Sequence, residues 1–355
     1  MMKKNLILVL LMVTLFCSCV HQWPESSPAQ VDLAITFNTE MTYNKTVPFP
    51  EGTKSDQTLS IDPVYFEPDF SDHEKYDVRY IVEAYRLLND GSYSREAVNR
   101  WTFFHKDARV LDDHVFTVFV DEGRYVFRAW ADFVEAGKTQ DLHWHTANWK
   151  SGIRLNTEDG YDGTDDWRDA YAGSVEVEAV RYGAIAKPVT ALIHMNRPQG
   201  KYFFVTNDLQ EFITKVIASK AEDDTKAPEF NLEEYTFEVT YTSFVPNSYN
   251  IHTDRANDSA PTARYEASLT QVDENRAIMG FDYVITGTQG STSVKVGLTL
   301  KHEDGTVLAE HANVNIPVKA NQYTVVEGRF LMQESSGGVS IDPGFAGPDI
   351  IVPVY

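Results

Sequence analysis

Val31-Asp-Leu-Ala-Ile-Thr-Phe37 alternates apolar and polar residues, which puts Val31, Leu33, Ile35 and Phe37 on one face. Period two over seven residues marks a strand half-buried against a core, because successive side chains of an extended chain point to opposite sides. The same reading extends downstream. Val78, Tyr80, Val82 and Ala84 alternate, and Asn89-Asp90-Gly91 supplies a turn before a strand over 95–104. Strands follow at 114–120 and 124–133, separated by Asp121-Glu122-Gly123, and again at 174–180 and 189–195. Residues 44–75, rich in Pro, Asp, Ser and Thr, read as a long surface loop, and 146–173 is polar, acidic and glycine-bearing.

Arg197-Pro198-Gln199-Gly200 is a turn-forming stretch between two apolar runs and marks a domain boundary. A second set of strands begins at 201–206 and continues near 234–244, 263–271, 277–287, 292–301, 306–309, 312–318 and 322–332. One helix interrupts it, over 208–220, with Leu209, Phe212, Ile213, Val216 and Ile217 on a single stripe. Asp208 and Glu211 match a capping box at its start. Many short strands with turns between them and one helix predict a mainly β chain of two β-sandwiches, over 31–198 and 199–355.

Composition agrees. The 355 residues exceed one ordinary core, and the 12% aromatic share favours sheet. Lys and Arg number 31 against 52 Asp and Glu, a net charge of −21, which opposes nucleic-acid binding because phosphate affinity comes from clustered cations.

Both cysteines, Cys17 and Cys19, lie at the N-terminus. Lys3 and Lys4 precede an apolar run, Leu6 to Phe16, too short for a bilayer helix of about 20 residues but right for a signal-peptide core. Ser18 before Cys19 resembles a lipobox, so residues 1–18 are expected to be removed and Cys19 lipidated, with 19–30 as a tether. Several acyl chains, each burying roughly 0.8 kcal/mol per methylene, would anchor the chain stably to a membrane. The remaining alternative is an ordinary signal peptide cut at a later site.

Few residues suggest chemistry. His143 and His145 share a strand face, a spacing that can serve a metal, but no third ligand is near; the plainer reading is a strand or loop edge. Asp159 to Asp166 is carboxylate-rich with two glycines, which suits either calcium or a solvated acidic loop, and its spacing misses the EF-hand pattern. No nucleophile elbow, phosphate loop, dinucleotide fingerprint or zincin motif is present, so neither an enzyme nor a cofactor is expected.

Cys19-Val-His-Gln-Trp-Pro24, Tyr76-Asp-Val-Arg-Tyr-Ile-Val-Glu-Ala-Tyr85, Arg124-Tyr-Val-Phe-Arg-Ala-Trp130 and Arg197-Pro-Gln-Gly-Lys-Tyr-Phe203 together resemble the fimbrillin-type surface lipoproteins of Bacteroidetes. Within them the chain is most similar to a group known only as a domain of unknown function. The resemblance implies two tandem transthyretin-like sandwiches serving as a pilus subunit, anchor or tip at the outer membrane. It also implies assembly by strand addition after a protease cuts behind an arginine and frees the first strand. This chain departs from that pattern, since it has no arginine from Met1 to Val78, only Lys45, Lys54 and Lys75 after the signal. A retained lipid and an anchor or lone adhesive role are therefore expected. Ile350 to Tyr355 reads either as an edge strand or as a donor segment. Asp258-Ser259-Ala260 resembles an O-glycosylation sequon used in the same phylum, with a simple turn as the alternative. A competing reading is a glycan-binding lipoprotein in which exposed Trp144, Trp149 and Trp167 stack on sugar rings.

Overall fold

The computed structural model describes residues 28–49, 61–106, 108, 111, 113–180, 188–221 and 230–332. The N-terminal half carries β1 (Ala29–Phe37), β2 (Thr42–Phe49), β3 (Tyr76–Arg86), β4 (Asn99–Lys106) and β5 (His114–Val120). It continues with β6 (Gly123–Glu135), β7 (Trp144–His145), β8 (Ile153–Leu155), β9 (Tyr171–Ala179) and β10 (Val189–Met195). The C-terminal half has β11 (Gln199–Thr206), helix α1 (Leu209–Ala221), β12 (Tyr235–Tyr241), β13 (Val245–Asn250), β14 (Arg255–Ala260) and β15 (Arg264–Ser268). Its last strands are β16 (Thr270–Gln271), β17 (Ala277–Ile285), β18 (Ser291–His302), β19 (Val307–Lys319) and β20 (Gln322–Gly328). The chain is mainly β, as its alternation predicts.

Two sandwich-like cores follow from the side-chain periods. In the first, the sheet β10-β1-β5 faces the sheet β4-β3-β6-β9. Val31, Leu33 and Ile35 on the alternating face of β1 are wholly buried against Val78, Tyr80, Val82, Phe127 and Phe133. In the second, β16-β17-β11-β20-β2 faces β15-β12-β18-β19. Val294, Val296, Leu298 and Leu300 on β18 meet Phe204, Phe237, Val326 and, from α1, Leu209 and Phe212.

β6 and β11 break the alternation because both of their faces are covered, the expected signature of an internal strand. All eight residues of β11 are buried. Its second face packs on Ile61 and Phe66, and the second face of β6 carries Trp130 against Trp144, Trp149 and Tyr249.

Several expectations change. Residues 44–49, placed in a surface loop, belong to β2, which pairs in parallel with β20 of the other half. Residues 144–145 and 153–155 form β7 and β8, which join β13 and β14 in one four-stranded sheet drawn from both halves. The segments 306–309 and 312–318 are the single strand β19. The capping box is not formed: the Asp208 carboxylate accepts from Leu331 N at 3.3 Å and Met332 N at 2.9 Å, while Glu211 pairs with Arg329 at 2.6 Å. Those tail amides outcompete the helix's own first turn for the carboxylate.

Candidate functional site

Two of the chain's crossings between the halves run side by side. β1 passes through 38–41 into β2, and β10 passes through 196–198 into β11. The two crossings are tied by Asn38 N to Met195 O at 3.0 Å. Arg197 sits between them, 1% exposed. Its Nε and Nη2 grip Asp169 at 2.6 and 2.7 Å, Nη1 donates to Asn321 Oδ1 at 2.6 Å, and Nη2 also donates to Thr39 O at 3.1 Å. Burial alone would lower the guanidinium's pKa, but Asp169 overrides it and the net shift is upward, so the guanidinium stays charged.

Two more buried pairs span the same seam. Arg168 Nη1 reaches Asp282 Oδ1 at 2.5 Å, and Lys201 Nζ reaches Asp166 Oδ1 at 2.5 Å. Asp282 is also held by Tyr161 OH at 2.7 Å and Tyr241 OH at 2.5 Å, and Asp166 by Tyr283 OH at 2.8 Å. Burial lowers the Lys201 pKa against the pull of Asp166. Lys201 and Asp282 are charges inside unbroken apolar strands, a pattern that already signals a paired buried ion. The partners, from 160–170, could not be read from the sequence, where they look like a solvated loop.

A cleft of about 500 Å³ opens beside this seam, lined by Thr39, Met41, Phe66, Phe70, Tyr171 and Arg197. The donors of Arg197 are directed to protein partners, so the cleft offers an apolar wall rather than an anion site.

The sequence candidates fall as follows. Trp144, Trp149 and Trp167 are 1%, 2% and 5% exposed, and none can stack on a sugar from solvent. They are core: Trp144 Nε1 donates to Arg168 O at 3.2 Å and Trp167 Nε1 to Asp72 Oδ1 at 2.9 Å, while the Trp149 ring receives Arg100 at 5.2 Å. The acidic loop is only partly solvated. Asp159 is exposed, Asp165 caps a 3-10 turn through Trp167 N, and Asp166 is buried on Lys201. His143 and His145 do not converge with other ligands; among the described residues no group of three or more His, Cys, Asp or Glu is placed to hold a metal. Burial, helped by the Arg168 charge, pushes the His143 imidazole down to about 4. Its Nε2 is buried without a hydrogen bond, 3.4 Å from Asp165 Oδ2. Ser259 is exposed on β14, the edge of its sheet. Cys19 and Ile350–Tyr355 lie outside the described residues. No helix among the described residues is long and apolar enough to cross a membrane.

Comparison with known proteins places the chain. No curated protein sequence matches it. Among solved structures it is similar to the fimbrial anchor protein Mfa2 from Porphyromonas gingivalis, with 12% identity, 80% of this chain and 82% of that one covered, and a TM-score of 0.38. It is also similar to a candidate adhesin from Bacteroides ovatus, with 9% identity, coverage of 90% and 97%, and a TM-score of 0.40. A candidate polysaccharide-binding protein from Bacteroides thetaiotaomicron gives 12% identity, coverage of 79% and 80%, and a TM-score of 0.36. One sequence family spans nearly the whole molecule, matching residues 27–353, and the chain belongs to it: the family of unknown function DUF6562.

Proposed function

We propose that this protein is a non-enzymatic, fimbrillin-like lipoprotein of the cell surface, held in the outer membrane through Cys19 and serving as a structural or adhesive anchor or accessory subunit. Its partners on this reading are the membrane and other fimbrial subunits, the latter engaged by strand addition. The division into 1–18, 19–30, 31–198 and 199–355 belongs to the proposal, with strand 42–49 lent across. Ser259, exposed on an edge strand, is the proposed O-glycosylation site.

One observation carries the reading. β1, the first described strand, is the middle strand of its sheet and is wholly buried at Val31, Leu33 and Ile35, and no arginine before Arg79 offers a cleavage site behind it that would release it. A chain built this way keeps its first strand and the anchor joined to it. Glycan stacking by the three tryptophans is not carried forward.

The test is N-terminal analysis of native material. A lipid-modified Cys19 ahead of an intact 29–37 segment supports the proposal. A mature N-terminus anywhere between residues 38 and 75 overturns it.

A further inference from the structure

We propose that β1 is a shear-loaded mechanical clamp, which carries force from the N-terminal tether into the body of the protein. The inference deepens the anchor reading and rests on it for the direction of the load.

β1 is held on both sides along its length. Val31 to Phe37 pair in parallel with Val189 to Met195, and Ala29 to Ile35 pair antiparallel with Val120 to His114. Each side supplies seven register pairs. The tether joins at the Ala29 end. The Phe37 end leads directly through 38–41 into β2, which lies in the C-terminal half. The sheet that holds β2, β20 and β11 is entered from the Phe37 end of β1, while β13 and β14 of the same half lie alongside β6, and tension between the tether and that sheet runs along the strand.

In this geometry the inter-strand hydrogen bonds, perpendicular to the strand on the antiparallel β5 side and slanted across it on the parallel β10 side, share the load and must break together. Tension applied across the sheet would instead open one pair at a time. Burial of Val31, Leu33 and Ile35 adds resistance, because sliding by one residue turns the apolar face of β1 towards solvent.

Beyond β1 the force path continues without a loose linker. Both crossings run from one half to the other together, tied by Asn38 N to Met195 O and by Arg197. β11 and β2 then flank β20, each in parallel with it. The buried pairs Arg168–Asp282 and Lys201–Asp166 resist separation of the halves at the same seam.

The experiment is single-molecule pulling on the unlipidated chain from residue 19 onward. Cys19 is then its sole thiol and serves as one handle. A second cysteine goes at one of two exposed positions. Lys215→Cys lies on α1, which follows the end of β11 remote from the seam, and it loads β1 lengthwise. Asp121→Cys lies next to Val120, the partner of Ala29, and it peels the same strand pair by pair.

Forced rupture reports the unfolding barrier in the direction pulled. The first rupture in the Lys215→Cys chain is expected at a force at least about twofold above that in the Asp121→Cys chain. Equal forces, or unfolding of the C-terminal half while β1 stays in place, would overturn the clamp. Because lipid is absent from this measurement, its outcome is independent of whether Cys19 is lipidated in cells. A failed clamp and a failed anchor are thus told apart.

Discussion

Arg168 Nη1 lies 2.5 Å from Asp282 Oδ1, with side-chain exposures of 2% and 0%, across the seam between the two halves. Burial would lower the guanidinium's pKa, yet the Asp282 charge outweighs it and Arg168 is raised well above its ordinary value. Such pairs add little net stability, because desolvation offsets attraction, but a lone member is strongly destabilising. Their role here is to fix how the halves dock. Asp282→Asn should cost about 3–5 kcal/mol in urea denaturation by stranding the arginine charge. Adding Arg168→Met should restore part of that loss, since the amide oxygen introduced by Asp282→Asn still accepts from Tyr161 and Tyr241. A double variant no more stable than the single would show that the charge is not the cause.

Acid should weaken the fold partly through His143. Its pKa lies at about 4 against an ordinary 6.5, first because of burial and then because of Arg168. A folded value below the unfolded one means the contribution is complete above pH 6.5 and is lost as pH falls from 6.5 towards 4. The loss should reach about 2 kcal/mol by pH 5. Denaturation midpoints at pH 7 and pH 5 test this: His143→Gln should drop less than the wild type. Identical drops would remove His143 from the account.

Trp149→Ala should behave as a core deletion. The ring is 2% exposed and packs with Trp144, Ile153 and Tyr249, so truncation should cost about 3–5 kcal/mol. Calorimetry should show a lowered Tm with folded secondary structure retained at low temperature. A Tm equal to the wild type would mean the residue is not part of the packed interior.

Gly200→Ala should destabilise more than its size suggests. A Cβ at Gly200 would sit 2.3 Å from Lys319 O, a backbone atom of a neighbouring strand that cannot rotate away. Overpacking of this kind costs about 1–3 kcal/mol. Gly91, at φ +83 with open space around its Cβ position, is the comparison: Gly91→Ala should cost only about 1 kcal/mol, from backbone strain alone. A Gly200 variant as stable as the Gly91 variant would contradict the close approach of β11 and β19.

Ser259→Ala should change stability by less than about 0.5 kcal/mol, because the side chain is exposed on an edge strand. If Ser259 carries a glycan, the same variant made in the native host should lose the corresponding mass by intact-protein mass spectrometry. An unchanged mass in that host would remove the modification site.

Most strands within each half were legible locally, though β13 and β14 were not. His114–Val120 and Val189–Met195 coincide with their sequence readings, and α1 is displaced by a single residue at each end. Alternation of apolar side chains is a property of neighbouring residues, and burial of one face is enough to impose it. For the same reason residues buried on one face could be listed without knowing what they touch.

The strands that join the halves were not legible. β2 (TYNKTVPF) carries Asn, Lys and Pro and holds its place by pairing with β20, some 280 residues away. β8 is three residues long and is defined by β13. The tryptophans looked exposed because their surroundings are polar in sequence, yet the sheet shared between the halves covers Trp144 and Trp149, and Phe70, Tyr76 and Phe133 of its own half cover Trp167. The sequence alone determined a mainly β chain, its first buried strand and the absence of an arginine that could release it. Which charges meet, which aromatics are core and how the halves lock together were decided by tertiary structure, because those contacts join residues whose only relation is spatial.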